Sequence, residues 1–413
     1  MKISRGFFWN TLGSTMYGLN SFLMLALVSR VGTVEETGAF GIAFTTAQLM
    51  YIVGLLGVSH YQMTDYEKKY SFREYGVLRF FSCALMAVGC ALSIQVMGFS
   101  GQKALLTALL TLLMLLNVVG DLYQNLFFQN NRLDLSGSAL FYRTFWSLLV
   151  FAVAYIVIKA LVLAICLQIL CNLLVTLYYA VRVAPAFLKS EPRREISAGQ
   201  CRVLLLECLP LFVSLLLMNL VISASKYGIE FCMDDQAQGY YNMIFMPAQV
   251  INLCSQFLFK PMLNQYAVLL RTKQRDQFRL LLKKQVALVM AFTLLCCAGA
   301  AVLGAPVLGL LYRKDLSGYV TALVIVVLGG GFYALCQLMY YLLVILRWQG
   351  RILSIYLFAI VAVVPITYFS IHGLGILGAS FSFAIVHSVI FAVYISVLWR
   401  NSGGKSAIAD KMD

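Results

Sequence analysis

Residues 7–66 read FFWNTLGSTMYGLNSFLMLALVSRVGTVEETGAFGIAFTTAQLMYIVGLLGVSHYQMTDY, and this stretch decides the fold of the chain. It holds two apolar runs, at residues 7–30 and 37–60, which a short acidic link with Glu35 and Glu36 joins. Each run is close to the ~20 residues that a helix needs to cross ~30 Å of hydrocarbon. The stretch therefore predicts two consecutive membrane-spanning helices.

Part of this stretch returns in the second half of the chain, where GAFGIAFTTAQ at 38–48 reappears as GYYNMIFMPAQ at 239–249. The four identities pair Gly38, Phe44, Ala47 and Gln48 with Gly239, Phe245, Ala248 and Gln249. Both copies lie in the second span of a half, which is where an internally repeated transporter would place them.

The composition excludes a soluble globular protein, because 61% of the residues are hydrophobic and only 12% are charged. Lys2 and Arg5 resemble the start of a signal peptide, but the long, polar-striped span that follows argues against cleavage. The eleven cysteines form no CxxC pair and lie mostly in apolar runs. We therefore expect apolar packing rather than disulfides or metal binding, and no cofactor.

Hydrophobic runs predict twelve spans and an all-α polytopic membrane protein. They lie at roughly 7–30, 37–60, 76–97, 104–126, 139–158, 160–181, 203–226, 239–262, 285–311, 320–346, 352–371 and 374–399. The fifth and sixth spans have no clear loop between them and meet near Lys159.

The positive charges agree with this topology. With the N-terminus inside, 25 of the 31 Lys and Arg residues fall on the cytoplasmic side, including Arg79 and Arg143 near the inner ends of their spans. We predict a multi-pass protein of the cell (plasma or inner) membrane with both termini cytoplasmic. The net charge of +14 then reflects topology and attraction to anionic inner-leaflet lipid, not a nucleic-acid partner.

The longest clearly polar stretch between spans is RVAPAFLKSEPRREISAGQCR, at residues 182–202. It predicts a cytoplasmic linker between an N-terminal six-helix lobe at 1–181 and a C-terminal six-helix lobe at 203–399. Residues 400–413 form a predicted cytoplasmic tail. The charged segment 264–284 predicts a short amphipathic helix on the inner surface.

Polar side chains follow one face of the first span, at Asn10, Ser14, Tyr17 and Ser21. At 100° per residue they lie within about 60° of one another. Polar groups are costly in lipid, so this face is expected to look into the helix bundle or a wet cavity.

The eighth span has a longer stripe, formed by Asn242, Gln249, Asn252, Gln256 and Lys260, within about 80°. This pattern is typical of a cavity lining, and hydrogen bonding between helices is the alternative. In the seventh span Asn219, Ser223, Lys226 and Glu230 share a face. Lys226 either faces a cavity or pairs with Glu230 at the interface, where a lysine can reach outward to water.

The fourth span carries Asn117, Asp121, Gln124 and Asn125 on one face. Asp121 lies about 17 residues into a span that runs from outside to inside, which places it near the inner interface. It is a candidate proton or Na⁺ site or a partner for a sugar, although a carboxylate at that depth is tolerable without a function.

The chain contains no Walker A, HExxH or GxSxG pattern, and no segment that would form a soluble catalytic domain. We therefore do not expect an enzyme.

The opening stretch resembles the flippases of lipid-linked oligosaccharides, such as O-antigen and polysaccharide repeat units, in the multidrug/oligosaccharidyl-lipid/polysaccharide exporter superfamily. The likeness lies in FFWNTLGS at 7–14, LVSRVGTVEETGAFGIAF at 27–44 and GLLGVSHYQ at 54–62. It implies two six-helix lobes around a central cavity lined largely by spans one, two, seven and eight. It also implies a polyprenyl-diphosphate-linked oligosaccharide that crosses from the inner to the outer leaflet by alternating access.

We therefore expect a flippase for cell-surface polysaccharide synthesis, such as that of lipopolysaccharide. Its predicted partners are the lipid-linked oligosaccharide, membrane lipids, a coupling cation (H⁺ or Na⁺), and a polysaccharide polymerase or glycosyltransferases. The predicted substrate-binding residues are Lys226, Lys260, Asn219, Asn242, Gln249, Asn252, Gln256, Asn10, Ser14 and Gln48, with Asp121 for ion coupling. Lys226 and Lys260 would hold the diphosphate at the outer and inner ends, and the amides would bind sugar hydroxyls.

Two alternatives stay open from the sequence. A cation-coupled multidrug or small-molecule exporter of the same superfamily would favour aromatic residues and a carboxylate near mid-membrane, whereas Asp121 is predicted near the edge. A membrane-embedded polymerase or ligase would usually need a large outer loop, and every predicted outer loop is short.

Overall fold

The structure is a computed structural model, and it describes residues 5–65, 69–188, 197–272, 274–346 and 348–403. Every regular element in these ranges is a helix, which confirms the all-α prediction for the described part of the chain. Residues 189–196 of the predicted linker and residues 404–413 of the predicted tail lie outside the described residues.

The helices are α1 (Arg5–Val31), α2 (Val34–Leu55), α3 (Val58–Thr64), α4 (Phe72–Val96), α5 (Gly101–Gln129), α6 (Leu133–Ile158), α7 (Leu161–Tyr178), α8 (Pro185–Leu188), α9 (Ala198–Cys232), α10 (Asp235–Phe259), α11 (Leu263–Arg271), α12 (Arg275–Gly299), α13 (Ala305–Tyr312), α14 (Val320–Ile345) and α15 (Gln349–Gly403). Two π-helical turns, Tyr179–Val183 and Ala300–Gly304, continue α7 into α8 and α12 into α13.

Ten helical stretches in the described residues are long and apolar enough to cross a membrane, so the chain is a multi-pass membrane protein. The predicted eighth span falls on α10, whose polar residues keep it out of this set. The predicted eleventh and twelfth spans both lie in α15, where Gly375 leaves helical geometry with φ 58° and ψ −131°. A count of twelve crossings stays a prediction.

The chain divides into two compact units, Met1–Asn219 and Leu220–Asp413. The division falls inside α9, whereas the sequence predicted a linker at 182–202. The first part of α9 packs in the first unit, because Leu204 and Cys208 join a buried cluster with Leu56 and Leu78. Packing, rather than a polar connection, therefore determines where the first unit ends.

In the first unit, α1 and α6 pack with their backbones in close approach. A Cβ at Gly13 would meet the carbonyl oxygen of Gly137, and a Cβ at Gly137 would meet the backbone of Trp9 and Asn10. Glycine at both positions lets the two helices approach as closely as small residues allow in membrane proteins. Between α6 and α7 the chain turns at Lys159, in left-handed conformation with φ 56°, close to the predicted junction.

In the second unit, α14 packs against three neighbours through three consecutive glycines. A Cβ at Gly329 would meet Phe383 of α15, one at Gly330 would meet the backbone of Ala248 in α10, and one at Gly331 would meet Thr293 of α12. The glycine run therefore allows one helix to form the centre of this unit.

Candidate functional site

A buried ion pair lies inside the first unit, between Arg79 of α4 and Asp121 of α5. The Nη2 of Arg79 is 2.9 Å from Oδ2 of Asp121, and the side chain of Arg79 is only 3% exposed. The same carboxylate oxygen accepts a hydrogen bond of 3.0 Å from Nδ2 of Asn125, one helical turn later. Asn125 also donates to Oγ of Ser59 at 3.0 Å, which connects α5 to α3.

Local structure explains why Arg79 reaches this position. Ser71 and Glu74 form a capping box that starts α4, with Glu74 Oε2 accepting from the backbone N–H of Ser71 at 2.8 Å. Two turns later, Nη1 of Arg79 donates to the carbonyl oxygens of Gly54 and Leu55 at 3.0 and 3.3 Å. These carbonyls are at the end of α2, where helical acceptors lack partners within their own helix. Arg79 thus joins α2, α4 and α5.

The predicted ion-coupling residue Asp121 is therefore neutralised by a neighbouring arginine in this conformation. A cation that uses this carboxylate has to compete with Arg79, which stays charged at physiological pH. The sequence placed Arg79 near the inner end of its span but did not predict its burial or its partner. The available signal in the sequence is its place five residues after Glu74 of the capping motif, where the apolar run of the span has already begun.

A second arginine of the first unit, Arg143 of α6, is 4% exposed. Its Nε has no hydrogen-bond partner among the described residues. The guanidinium lies against Gly120 of α5, where a Cβ would collide with its Nη1. It lines a small pocket together with Tyr123, Thr176 and Tyr179. The sequence missed this site, because Arg143 was expected to belong to the cytoplasmic charges.

The predicted polar face of α1 is partly accessible in the first unit. Asn10 is half-buried and Ser14 is exposed. Gln48 of α2 is half-buried as well, and Tyr17 lies near Tyr51 of α2, with ring centroids 6.4 Å apart. Three predicted side chains of the first unit are therefore exposed or half-buried.

Asn117 of α5, which the sequence placed on the same stripe as Asp121, is used for packing. It accepts a hydrogen bond of 3.1 Å from Asn172 of α7, whose Oδ1 accepts from Thr176 at 3.5 Å. This ladder is the interhelical hydrogen bonding that polar residues commonly provide in membrane bundles.

The predicted cations of the second unit both lie over aromatic rings. The Nζ of Lys226 is 4.7 Å from the ring centroid of Phe245, and that of Lys260 is 6.0 Å from the ring of Tyr341. An aromatic face attracts an ammonium group electrostatically and stabilises it. Asn219, the last residue of the first unit, donates to the carbonyl of Leu215 within its own helix at 3.0 Å.

The predicted stripe of α10 divides into a buried end and an accessible end. Gln249 and Lys260 are exposed, and Asn252 and Gln256 are half-buried. Asn242, at the other end, is 1% exposed and lies inside the second unit. Four of the five predicted side chains are therefore exposed or half-buried, although Oδ1 of Asn252 is itself buried.

Asn242 is part of a buried amide pair that the sequence did not predict. Gln238, one turn earlier on α10, is fully buried, and neither side chain has a hydrogen-bond partner among the described residues. Buried amides normally have partners, because an unsatisfied polar group costs about 1–3 kcal/mol. The pair therefore has unused capacity for water or a hydroxyl group.

Across the described residues, no group of three His, Cys, Asp or Glu side chains is placed to hold a metal ion. The arrangement is one of amides, hydroxyls and cations, which suits binding rather than covalent chemistry.

The fold is similar to that of solved membrane transporters. An inward-facing multidrug resistance MATE family transporter of the MOP superfamily aligns with a TM-score of 0.73 and 13% identity, over 94% of this chain and 96% of that one. A MATE transporter of Vibrio cholerae aligns with a TM-score of 0.63 and 18% identity, over 96% and 97% of the two chains. A MOP superfamily transporter from Pyrococcus furiosus aligns with a TM-score of 0.61 and 15% identity, over 98% and 96%. At these identities the comparisons establish the fold alone.

Among curated proteins, no sequence matches this chain. A family model described as polysaccharide biosynthesis protein matches residues 3–267, which is more than half of the chain. This match includes the opening stretch that carried the resemblance to exporters of lipid-linked oligosaccharides. The chain therefore belongs to the polysaccharide biosynthesis protein family, with the fold of the MATE transporters of the MOP superfamily.

Proposed function

We propose that this protein is a flippase that moves polyprenyl-diphosphate-linked oligosaccharide units from the inner to the outer leaflet by alternating access. The observation that carries the proposal is the family match over residues 3–267 in a chain with a transporter fold. Polysaccharide units made on lipid carriers have to cross the membrane before they reach the cell surface. A protein of this family with many membrane helices is suited to that step.

The chemistry of the second unit fits such a cargo. The diphosphate needs cations, and Lys226 and Lys260 supply two, each beside an aromatic ring. The sugars need groups that both donate and accept hydrogen bonds, and amides such as those of the exposed Gln249 and the half-buried Asn252 and Gln256 do both.

The other predicted residues would add hydrogen bonds to the substrate or couple transport to an ion. Asn10, Ser14 and Gln48 add polar groups from the first unit, and Asn219 adds one from α9. Asn242 would hydrogen-bond through the amide that has no partner among the described residues. Asp121 would couple transport to H⁺ or Na⁺ by releasing Arg79 when the cation binds.

A cation-coupled exporter of small molecules is the second candidate, since solved structures with this fold include multidrug transporters. A drug site would need an accessible carboxylate to attract cationic compounds. The Asp121 carboxylate is instead paired with Arg79, and this pairing favours the flippase.

Binding to the purified protein tests the proposal. The flippase predicts that a short-chain polyprenyl-diphosphate oligosaccharide raises the melting temperature and that hydrophobic cations do not. Stabilisation by hydrophobic cations alone would overturn the proposal in favour of the exporter.

A further inference from the structure

The pocket around Arg143 lies within the first unit and is built by three helices. Gly120 and Tyr123 come from the end of α5, Arg143 from the first half of α6, and Thr176 and Tyr179 from the end of α7 and the π-turn after it. The C-terminal parts of α5 and α7 and the N-terminal half of α6 lie on the same side of the first unit, because α6 runs in the opposite direction. With the predicted topology, this side faces the cytoplasmic leaflet.

Among the described residues, no side chain forms an ion pair or hydrogen bond with the cation in this pocket. Arg143 is 4% exposed, and its Nε has no partner among the described residues. The carboxylate that acts on it electrostatically, Asp121, already uses Oδ2 for Arg79 and Asn125. A buried charge without a hydrogen-bonded partner is costly, so an arginine in this state marks a place for an anion.

The surrounding groups are those of an oxyanion site. The hydroxyl-bearing side chains of Tyr123, Thr176 and Tyr179 line the same pocket. The hydroxyls of Thr176 and Tyr179 donate long hydrogen bonds of 3.5 Å to Asn172 and Ser138, and an oxyanion would replace these acceptors. Tyr179 is the first residue of a π-helical turn, and such turns occur often at functional sites. The geometry depends on Gly120, because any side chain there would displace the guanidinium.

The size of the pocket limits what enters it. Its volume is about 10 Å³, and it is partly open to the surface. This is room for about one oxygen atom or water molecule. An anion would therefore insert one oxygen and keep the rest of the molecule at the mouth, which is possible for a phosphate carried by a lipid.

We propose that Arg143, Tyr123, Thr176 and Tyr179 form a binding site for the phosphate group of an anionic lipid in the cytoplasmic leaflet. Arginine forms charge-assisted hydrogen bonds with phosphate oxygens, one of which fits this pocket, and basic pockets between helices on this side of a membrane are suited to lipid head groups. The phosphate comes either from a membrane phospholipid or from a polyprenyl diphosphate. The second source rests on the proposed function, and the first does not.

Native mass spectrometry of the full chain, purified in detergent, tests this site with added phosphatidylglycerol, phosphatidylcholine or polyprenyl diphosphate. We expect Arg143→Gln to weaken retention of the anionic lipid at least about tenfold. The matched control is Arg182→Gln, which removes an exposed arginine three residues after Tyr179 and should change retention less than about twofold. Stronger retention of phosphatidylglycerol or of polyprenyl diphosphate shows which lipid supplies the phosphate group. Either result supports the binding site without any measurement of transport.

A positional variant separates the site from a merely structural arginine. Gly120→Ala keeps the charge of Arg143 but displaces its guanidinium, and should lose the lipid to a similar extent. Melting temperature without added lipid gives the second measure: Arg143→Gln removes an unsatisfied charge and should not destabilise the lipid-free protein. Equal lipid retention in wild type, Arg143→Gln and Gly120→Ala would overturn the proposal. Equal losses of lipid retention in Arg143→Gln and Arg182→Gln would also overturn it. So would an Arg143→Gln protein that is destabilised or does not fold without lipid.

Discussion

The Nη2 of Arg79 lies 2.9 Å from Oδ2 of Asp121, between the helices α4 and α5 of the first unit. Arg79 also donates to two carbonyls at the end of α2, so that one guanidinium satisfies acceptors on two helices. The carboxylate proposed for ion coupling is therefore also a structural partner. Its two roles can be separated experimentally.

Asp121→Asn should leave Arg79 as an unpaired buried charge and destabilise the protein by roughly 3–5 kcal/mol, the range for breaking a buried pair. Arg79→Gln should be destabilising as well. The double variant removes both charges and should recover much of the loss, as a thermal double-mutant cycle would measure. Additive losses in the double variant would contradict the importance of the pair.

The coupling role predicts a different result for the same double variant. If Asp121 carries H⁺ or Na⁺, transport by the Asp121→Asn/Arg79→Gln protein should depend less on the ion gradient although its stability is recovered. The measurement is transport in vesicles with and without an imposed gradient. Unchanged gradient dependence would leave Asp121 with its structural role alone.

The lysines of the second unit are predicted to act on the diphosphate. Lys226→Gln and Lys260→Gln should each lower the flipping rate at least about tenfold, equivalent to ~1.4 kcal/mol of barrier. Lys226→Arg and Lys260→Arg, which keep the positive charge, should retain much of the wild-type rate. Lys103→Gln is the matched control for Lys226, because Lys103 lies 5.5 Å from the ring centroid of Phe99 but outside the predicted stripes. Lys283→Gln is the matched control for Lys260→Gln, because both lysines are exposed. Wild-type rates in both Gln variants at equal protein levels would refute this role.

Close packing around α14 gives a test of the second unit. Gly330→Ala should destabilise the protein, because the new Cβ would lie 2.8 Å from the Cα of Ala248. Gly76→Ala is the control, since a Cβ there meets nothing within 4 Å and alanine favours the interior of α4 by up to about 1 kcal/mol. Melting temperatures that rank the two variants in the opposite order would contradict the packing.

Topology is tested by cysteine labelling in a background without the eleven native cysteines. Cysteine at 193 or 405 should react only from the cytoplasmic side, and cysteine at 234 only from outside. Cysteine at 373, beside the break in α15, should also react from outside if α15 crosses the membrane twice. Labelling of 193 and 234 from the same side would disprove the twelve-span arrangement.

The sequence was sufficient for the helical class and for most spans, because apolar length is a local property of the chain. It was also sufficient for the turn near Lys159, where the structure ends α6 and begins α7. It could not place the unit boundary inside α9, since that depends on which neighbours Leu204 and Cys208 contact.

The candidate site was only partly predictable for the same reason. Helical periodicity identified the stripe of α10, four of whose five members are accessible, but it could not show that Asn242 turns into the second unit. From the sequence, Arg79 and Arg143 are assigned only to the cytoplasmic side of the membrane, as part of the positive charge there. Their burial comes from contacts with Gly54, Gly120 and Asp121 on other helices, which no single-span pattern contains.

Transbilayer movement of a fluorescent polyprenyl-diphosphate oligosaccharide, in vesicles that contain the purified protein, tests the proposed flippase activity most directly. Reduction of the dye by an impermeant reagent reports the fraction in the outer leaflet over time. We predict protein-dependent movement of this lipid, no comparable movement of a fluorescent phosphatidylglycerol, and at least about tenfold slower movement with Lys260→Gln. Vesicles in which the oligosaccharide lipid moves no faster than in protein-free controls, or no faster than phosphatidylglycerol, would contradict the account.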